Sequence, residues 1–508
     1  MGLFSNPVFN KREAWGYVWV LLVRGMGWTT WVFTQVAVIK LSNNEVGCSQ
    51  AGFEIGWNST DGTLRPQTEE EADLFYGQLD GEIADEPLDC SGTITWMGKE
   101  MKPSTAIPYM NAVGLIISIC TMPILGTMID RTAYRRFVTF AALAVFVGVN
   151  AVQIAIGKDT WLMMLVLQTI VARLGFSVHV QRVAGYCTEI AEGEQEIIAL
   201  QSAGRTMEVS AMVGTLFAVL IGGGIMFGED VVAVAVFGQV FATVLSVPLM
   251  VMALARFESR PALNKTEGNV LTSGFMQIGK TVKLLWGENR AVLQVLIGMA
   301  FNDAANGNIF VLFPIYAMLQ VKLENPALFT GIAMIMCIPG TLATKALATK
   351  WGIRRQLGNI HITNVLATLM LVLVFNKEGQ LLGVLIVAIF YGLSIGGTYP
   401  MQKGLYMLVI PAGQEIEYQG YYTFFTQILA PVPSAWFVFC EDTNLGGENN
   451  SMKFGLGSLI VFYMIAFVIL VPLFDEKKAA EKAQATMHLR IRGKEMVKGA
   501  KVAAAGDV

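Results

Sequence analysis

Twelve apolar runs, each long enough to cross a bilayer, constrain this chain more than any other feature. A helical span needs about 20 predominantly apolar residues to cross roughly 30 Å of hydrocarbon. Such runs lie at about 15–40, 106–128, 136–156, 160–183, 203–227, 231–255, 291–319, 327–348, 357–375, 380–402, 418–440 and 455–474. A polar stretch from Arg256 to Arg290 separates six runs from six. Of the 508 residues only 15% are charged, against roughly 25% in a soluble domain. That balance excludes a water-soluble enzyme and a disordered scaffold, and a net charge of −3 offers no field for nucleic acid. The expectation is an all-α, multi-pass membrane protein of twelve transmembrane helices, with the lipid bilayer as its first partner.

Small counts narrow the chemistry. His179, His361 and His488 are scattered, and no cysteine pair has zinc spacing, so neither a metal nor another cofactor is implied. Loop charge then sets orientation, because Lys and Arg are retained on the cytoplasmic face. Lys11 and Arg12, Arg131 with Arg135 and Arg136, Lys350 with Arg354 and Arg355, the segment 256–290 and the tail 475–508 all fall on one side of a twelve-span chain. The acidic segment 41–105 falls on the other. Both termini are therefore expected in the cytoplasm. Asn58 and Asn449 begin sequons on the opposite side and are candidate glycosylation sites, whereas Asn264 begins one on the cytoplasmic side. Cys48 and Cys90 share the outer loop and are a candidate disulfide pair.

The chain also repeats itself. Arg135-Arg136 and Arg354-Arg355 lie 219 residues apart, and the stretch Tyr186–Gly193 aligns with Tyr406–Gly413 at an offset of 220. The first spans fit only at a larger offset, which makes the acidic segment an insertion in the first outer loop. The organisation read from this is a first six-helix half, 1–255, carrying the insertion 41–105. A cytoplasmic linker, 256–290, leads to a second half, 291–474, and a basic tail, 475–508. Two parallel six-span halves are the symmetry of a large transporter fold.

One apparent motif is rejected. Gly274 to Thr281 fits the phosphate-loop pattern GxxxxGK[ST], but that loop needs a strand before it and a nucleotide-binding domain around it. A 35-residue linker cannot supply either. Phe275, Ile278, Val282, Leu285 and Trp286 instead suggest an amphipathic helix along the membrane.

A second motif is more specific. Gly126-Thr-Met-Ile-Asp130-Arg131-Thr-Ala-Tyr-Arg135-Arg136 closes the second span with a glycine, an acid and a basic cluster. It resembles the loop motif of the major facilitator superfamily between helices 2 and 3, which implies two pseudo-symmetric six-helix halves in that fold. The resemblance assigns Asp130, Arg131, Arg135 and Arg136 to a cytoplasmic latch between them. In the second half Thr349 stands where the acid would be. Phe301-Asn302-Asp303-Ala-Ala-Asn306, Ile410-Pro-Ala-Gly413-Gln-Glu415-Ile-Glu417-Tyr-Gln-Gly420 and Ala430-Pro431 resemble elements of one branch, the autophagy-related vacuole effluxers, which are amino-acid exporters. In the first span that branch's D-W-A-N-S is replaced here by Val23-Arg24-Gly25-Met26-Gly27. The branch implies a vacuolar or other endomembrane location, with the plasma membrane as the alternative.

Charges inside spans cost a few kcal/mol each unless they face a wet cavity or a partner. Arg24, Arg173 and Asp303 are such charges, Asn302, Asn306 and Gln427 add polar lining, and these six are the candidate substrate-binding residues. Arg24 has two candidate anions, Asp303 on the pseudo-symmetric helix or a substrate carboxylate or phosphate. Arg205 and Glu208, three apart, read as a local ion pair. Arg182 reads as snorkelling to the surface. The expected function is secondary active transport of a small polar solute with an anionic group, an amino acid on the resemblance, with a coupling proton as a further partner. The alternatives are an organic or inorganic anion carrier, or a transporter-like subunit or sensor that moves nothing.

Overall fold

The computed structural model describes residues 11–45, 94–96, 99–101, 103–130, 135–191, 193–228, 230–258, 279–287, 289–319, 321, 327–375, 380–411, 414–443, 445 and 450–475. Within them each apolar run is a helix. The first six are α1 (Lys11–Glu45), α2 (Pro103–Asp130), α3 (Arg135–Val152), α4, α5 and α6 (Val231–Leu254). Helix α4 runs through Trp161–Val166, a π-helical turn at Leu167–Ala172 and Arg173–Ile190. Helix α5 runs through Gly193–Phe217, a second π turn at Ala218–Gly223 and Gly224–Phe227. The last six begin with α7 (Arg290–Leu319), α8 (Ala327–Trp351) and α9 (Ile353–Leu369, ending in the π turn Met370–Val374). They finish with α10 (Leu381–Val409), α11 (Glu415–Ile428 and Pro431–Asp442) and α12 (Ser451–Leu470). Eight of these helices are long and apolar enough, by length and composition alone, to cross a membrane. A short antiparallel hairpin, β1 (Ile94–Trp96) with β2 (Lys99–Met101), precedes α2 and is the one departure from helix among the described elements.

The breaks sit where the residues dictate. The π turn in α5 reaches the glycine run 222–224, where the backbone is least restrained. Pro431 cannot donate to the helix before it and opens the second piece of α11. Asp230 caps α6 by accepting from the amides of Val232 and Ala233 at 3.0 and 3.1 Å. Apolar side chains such as Ile225 and Leu382 are 81% and 73% exposed, as the outer belt of a protein solvated by lipid requires.

Helix α1 packs on α5 and α6, α8 on α10, and α7 on α12. The two sets of six meet where α2 lies against α11, and where α5 lies against α8 and α10. Gly420 makes the first contact possible, because a Cβ there would stand 2.7 Å from the Met122 carbonyl oxygen of α2. Two hydrogen bonds bind the sets at the same end of the bundle: Gln181 donates to Thr423 at 3.3 Å, and Gln201 to the Met407 sulfur at 3.3 Å.

The two aligned stretches place a tyrosine near the end of α4 and of α10, and the two hydroxyls reach different partners. Tyr186 near the end of α4 donates its hydroxyl to the Glu258 carbonyl, and Tyr406 near the end of α10 donates to the Tyr418 carbonyl. Residues 279–286 are helical, and Thr281, the last residue of the rejected phosphate-loop pattern, donates to Glu417 of α11. Asn289 donates to the Tyr418 hydroxyl at 2.9 Å, and Leu285 is buried while Val282 and Trp286 are exposed. This segment docks on the second set through one face and presents apolar side chains on the other.

Candidate functional site

The site is built around the contact of α1 with α5. Gly25 lets the two backbones touch, since a Cβ there would lie 2.3 Å from the Glu208 carbonyl oxygen. The approach places Arg24 opposite the Glu208 side chain. The Arg24 Nε and Nη2 donate to the two carboxylate oxygens at 2.6 and 2.7 Å, with both side chains under 10% exposed. Arg205 donates to the same carboxylate at 3.1 Å from one turn away. The expected Arg205–Glu208 pair is therefore present, but Arg24 holds the shorter bonds.

A small cavity lies beside this bridge, between α1, α4, α5 and α10. Its polar lining is Tyr17, Arg24, Gln201, Arg205, Glu208, Tyr399 and Lys403, and its volume of about 10 Å³ is that of a single water-sized sphere. The Arg205 guanidinium stands 5.3 Å from the Tyr399 ring centroid, which ties the first set of helices to the second across the cavity. Three cations, Arg24, Arg205 and Lys403, line this space against one acid, Glu208.

Behind Lys403 lies a second group. The Tyr422 hydroxyl of α11 donates to Asp303 of α7 at 2.7 Å. The Lys403 ammonium sits 3.2 Å from the centroid of the same Tyr422 ring and donates to Gln419 at 3.0 Å. Asn302 is fully buried with neither end of its amide hydrogen-bonded. Asn306 is committed to Tyr463 of α12, which donates to it at 3.0 Å. The Gln427 side-chain oxygen is buried without a partner. Arg173 lies against α2, where a Cβ on Gly114 would be 3.3 Å from its Cδ. Arg182 does not snorkel: it is buried, with its guanidinium 4.4 Å from the Tyr186 ring centroid.

The anion that Arg24 holds is Glu208, not Asp303. The physical reason is helix packing, because Gly25 brings α5 to van der Waals contact with α1 while Asp303 is engaged by α11. Arg131, Cys48, Cys90, Asn58 and Asn449, and the side chains of Asp130, Arg135 and Arg136, lie outside the described residues. The residue that sequence reasoning missed is Lys403. Ending the tenth span at residue 402 leaves it just outside, yet α10 continues to Val409 and Lys403 is only 1% exposed. The signal was present in the apolar stretch Leu405–Ile410, which carries the run on past the lysine. Tyr399 and Tyr422 carried no such signal, since tyrosine is ordinary in a membrane helix.

Two sets of six helices around a buried charged cavity define a multi-pass membrane carrier. The sequence profile of the Major Facilitator Superfamily matches residues 91–433, well over half of the chain, and the protein belongs to that family. It is a secondary transporter, as the family's members are transporters rather than enzymes. No curated protein matches it in sequence. Among solved structures it is similar to a bacterial homologue of the iron transporter ferroportin in an outward-facing state (12% identity, 90% of this chain and 98% of that one, TM-score 0.57). It is similar also to the E. coli fucose:proton symporter FucP (11% identity, 89% and 97%, TM-score 0.57). A third is the human organic anion transporter MFSD10, or TETRAN (11% identity, 92% and 100%, TM-score 0.56). At these identities the likeness is one of fold.

Proposed function

We propose that this transporter carries a small solute with a carboxylate or other anionic group, an amino acid first, by alternating access between its two six-helix halves. The observation that carries the reading is the excess of cations in the cavity between the halves. Arg24 is already occupied by Glu208 in a two-point contact. Lys403 gives one N–H to Gln419 and has two left, and Arg205 gives one bond to Glu208. The substrate's anionic group is therefore placed between Lys403 and Arg205, with the Tyr399 ring beside it. Asn302 and Gln427, buried polar groups with unused hydrogen-bonding capacity, are the proposed contacts for the rest of the solute.

Charge bias supports both termini in the cytoplasm, as does the resemblance to vacuolar exporters for an endomembrane location. In that orientation the Gln181–Thr423 and Gln201–Met407 bonds close the cytoplasmic end, and the conformation is one that faces outward or is occluded. Asp130, Arg131, Arg135 and Arg136 are the proposed latch at that end. The similar proteins named an organic anion transporter and a proton symporter are compatible with this reading and do not choose the solute.

Purified protein tested for thermal stabilisation by L-glutamate, L-leucine, citrate and inorganic phosphate tests the reading. Stabilisation by one or more of these, lost in Lys403→Met, is expected. Stabilisation by none of the four would overturn it.

A further inference from the structure

We propose that Asp303 is a built-in stand-in for the substrate's anion: it balances Lys403 through Tyr422 until an arriving anion takes its place. This rests on the anion-carrier reading above and adds to it a residue that competes with the substrate.

The inference starts from how one phenol touches two charges. The Tyr422 hydroxyl donates to Asp303 at 2.7 Å, while the face of its ring meets the Lys403 ammonium at 3.2 Å. A hydroxyl that donates to a carboxylate gains electron density, and a richer ring attracts a cation more strongly. The charges of Lys403 and Asp303 attract across the ring, yet among the described contacts they form no direct ion pair. The contrast with Arg24 and Glu208, in direct contact at 2.6 Å in the same protein, is informative. A purely structural pair buried in a membrane protein gains most by touching, because each uncompensated charge is expensive there. Lys403 is instead held by one neutral acceptor, Gln419, and by the rings of Tyr422 and Tyr399.

Placement points the same way. Lys403 lines the cavity beside Arg205, and Asp303 is not among the residues that line it. Three cations and two acids, Glu208 and Asp303, leave this region with one net positive charge. Without Asp303 the region would hold two. An anion entering the cavity meets the unused N–H groups of Lys403 directly and outcompetes a carboxylate that acts only through a ring.

The test is a stability cycle combined with an anion titration on purified full-length protein. Asp303→Asn and Lys403→Met should each lower the melting temperature, and Asp303→Asn with Lys403→Met should restore most of the loss. L-glutamate, citrate and inorganic phosphate are the probes. At least one should stabilise Asp303→Asn at about a tenfold lower concentration than wild type, because its internal competitor is gone. Asp303→Glu keeps the competitor and should respond as wild type does. If Asp303→Asn does not fold, recovery of folding in the double variant carries the first arm, and Tyr422→Phe, which uncouples Asp303 but keeps the ring, carries the second. A double variant no more stable than Asp303→Asn would overturn the proposal. So would equal anion sensitivity of Asp303→Asn and wild type. Wild type that responds, with no gain in Asp303→Asn, sinks the stand-in alone; silence of every variant toward every probe sinks the anion-carrier reading with it.

Discussion

Arg24 and Glu208 face each other through two parallel hydrogen bonds of 2.6 and 2.7 Å, joining α1 to α5 in the protein interior. Removing one member of a buried pair strands the other, at a cost of about 3–5 kcal/mol. Glu208→Gln should therefore lower the melting temperature sharply, and Arg24→Met in the same chain should recover much of the loss. Arg24→Lys keeps the charge but not the planar fork. It should cost stability while leaving anion-induced stabilisation in place, a pairing that thermal melts with and without L-glutamate would reveal.

Gly420 controls a different contact. Its missing Cβ admits the Met122 carbonyl, so Gly420→Leu must push α11 away from α2. The closed end of the bundle should then open more often. In a background without reactive cysteine, a thiol introduced by Thr423→Cys, covered by Gln181 in the parent, should react with maleimide faster when Gly420→Leu is added. An unchanged labelling rate would mean that the other contacts at that end suffice.

Asp130→Asn removes a charge without removing bulk. If Asp130 and its arginines latch the two halves, folding and the amount of protein in the membrane should be preserved while transport falls. Transport at the parent rate would leave this cluster with the single role of fixing topology.

Orientation has its own test. In a eukaryotic secretory membrane, glycan should attach at Asn58 and Asn449 and be absent from Asn264, as shifts in mobility after deglycosylation would report. Sugar at Asn264 would invert the assignment of sides. Non-reducing mass spectrometry should find Cys48 joined to Cys90, and two reduced thiols there would remove the disulfide but not the topology.

The helices were legible because each must satisfy its backbone within itself and present an apolar surface to lipid, constraints that act residue by residue along the chain. The site was legible only in its membership. Arg24, Asp303, Arg205 and Glu208 stand out as charges in apolar runs, but which of them touch depends on the depth of a glycine contact between α1 and α5. Lys403 was hidden by a boundary, because a lysine near the end of an apolar run reads as the edge of the membrane. Only its burial by Tyr399, Tyr422 and Gln419 places it inside.

The segment between α6 and α7 is anchored at both ends, and to different partners. On one side Glu258 receives the Tyr186 hydroxyl and gives its amide to Glu13 of α1 at 3.1 Å. On the other, Thr281 and Asn289 are bonded to α11. Each end of the connection is thus fixed to its own six-helix set, and the α2–α11 and α5–α8 seams are direct contacts between the two sets.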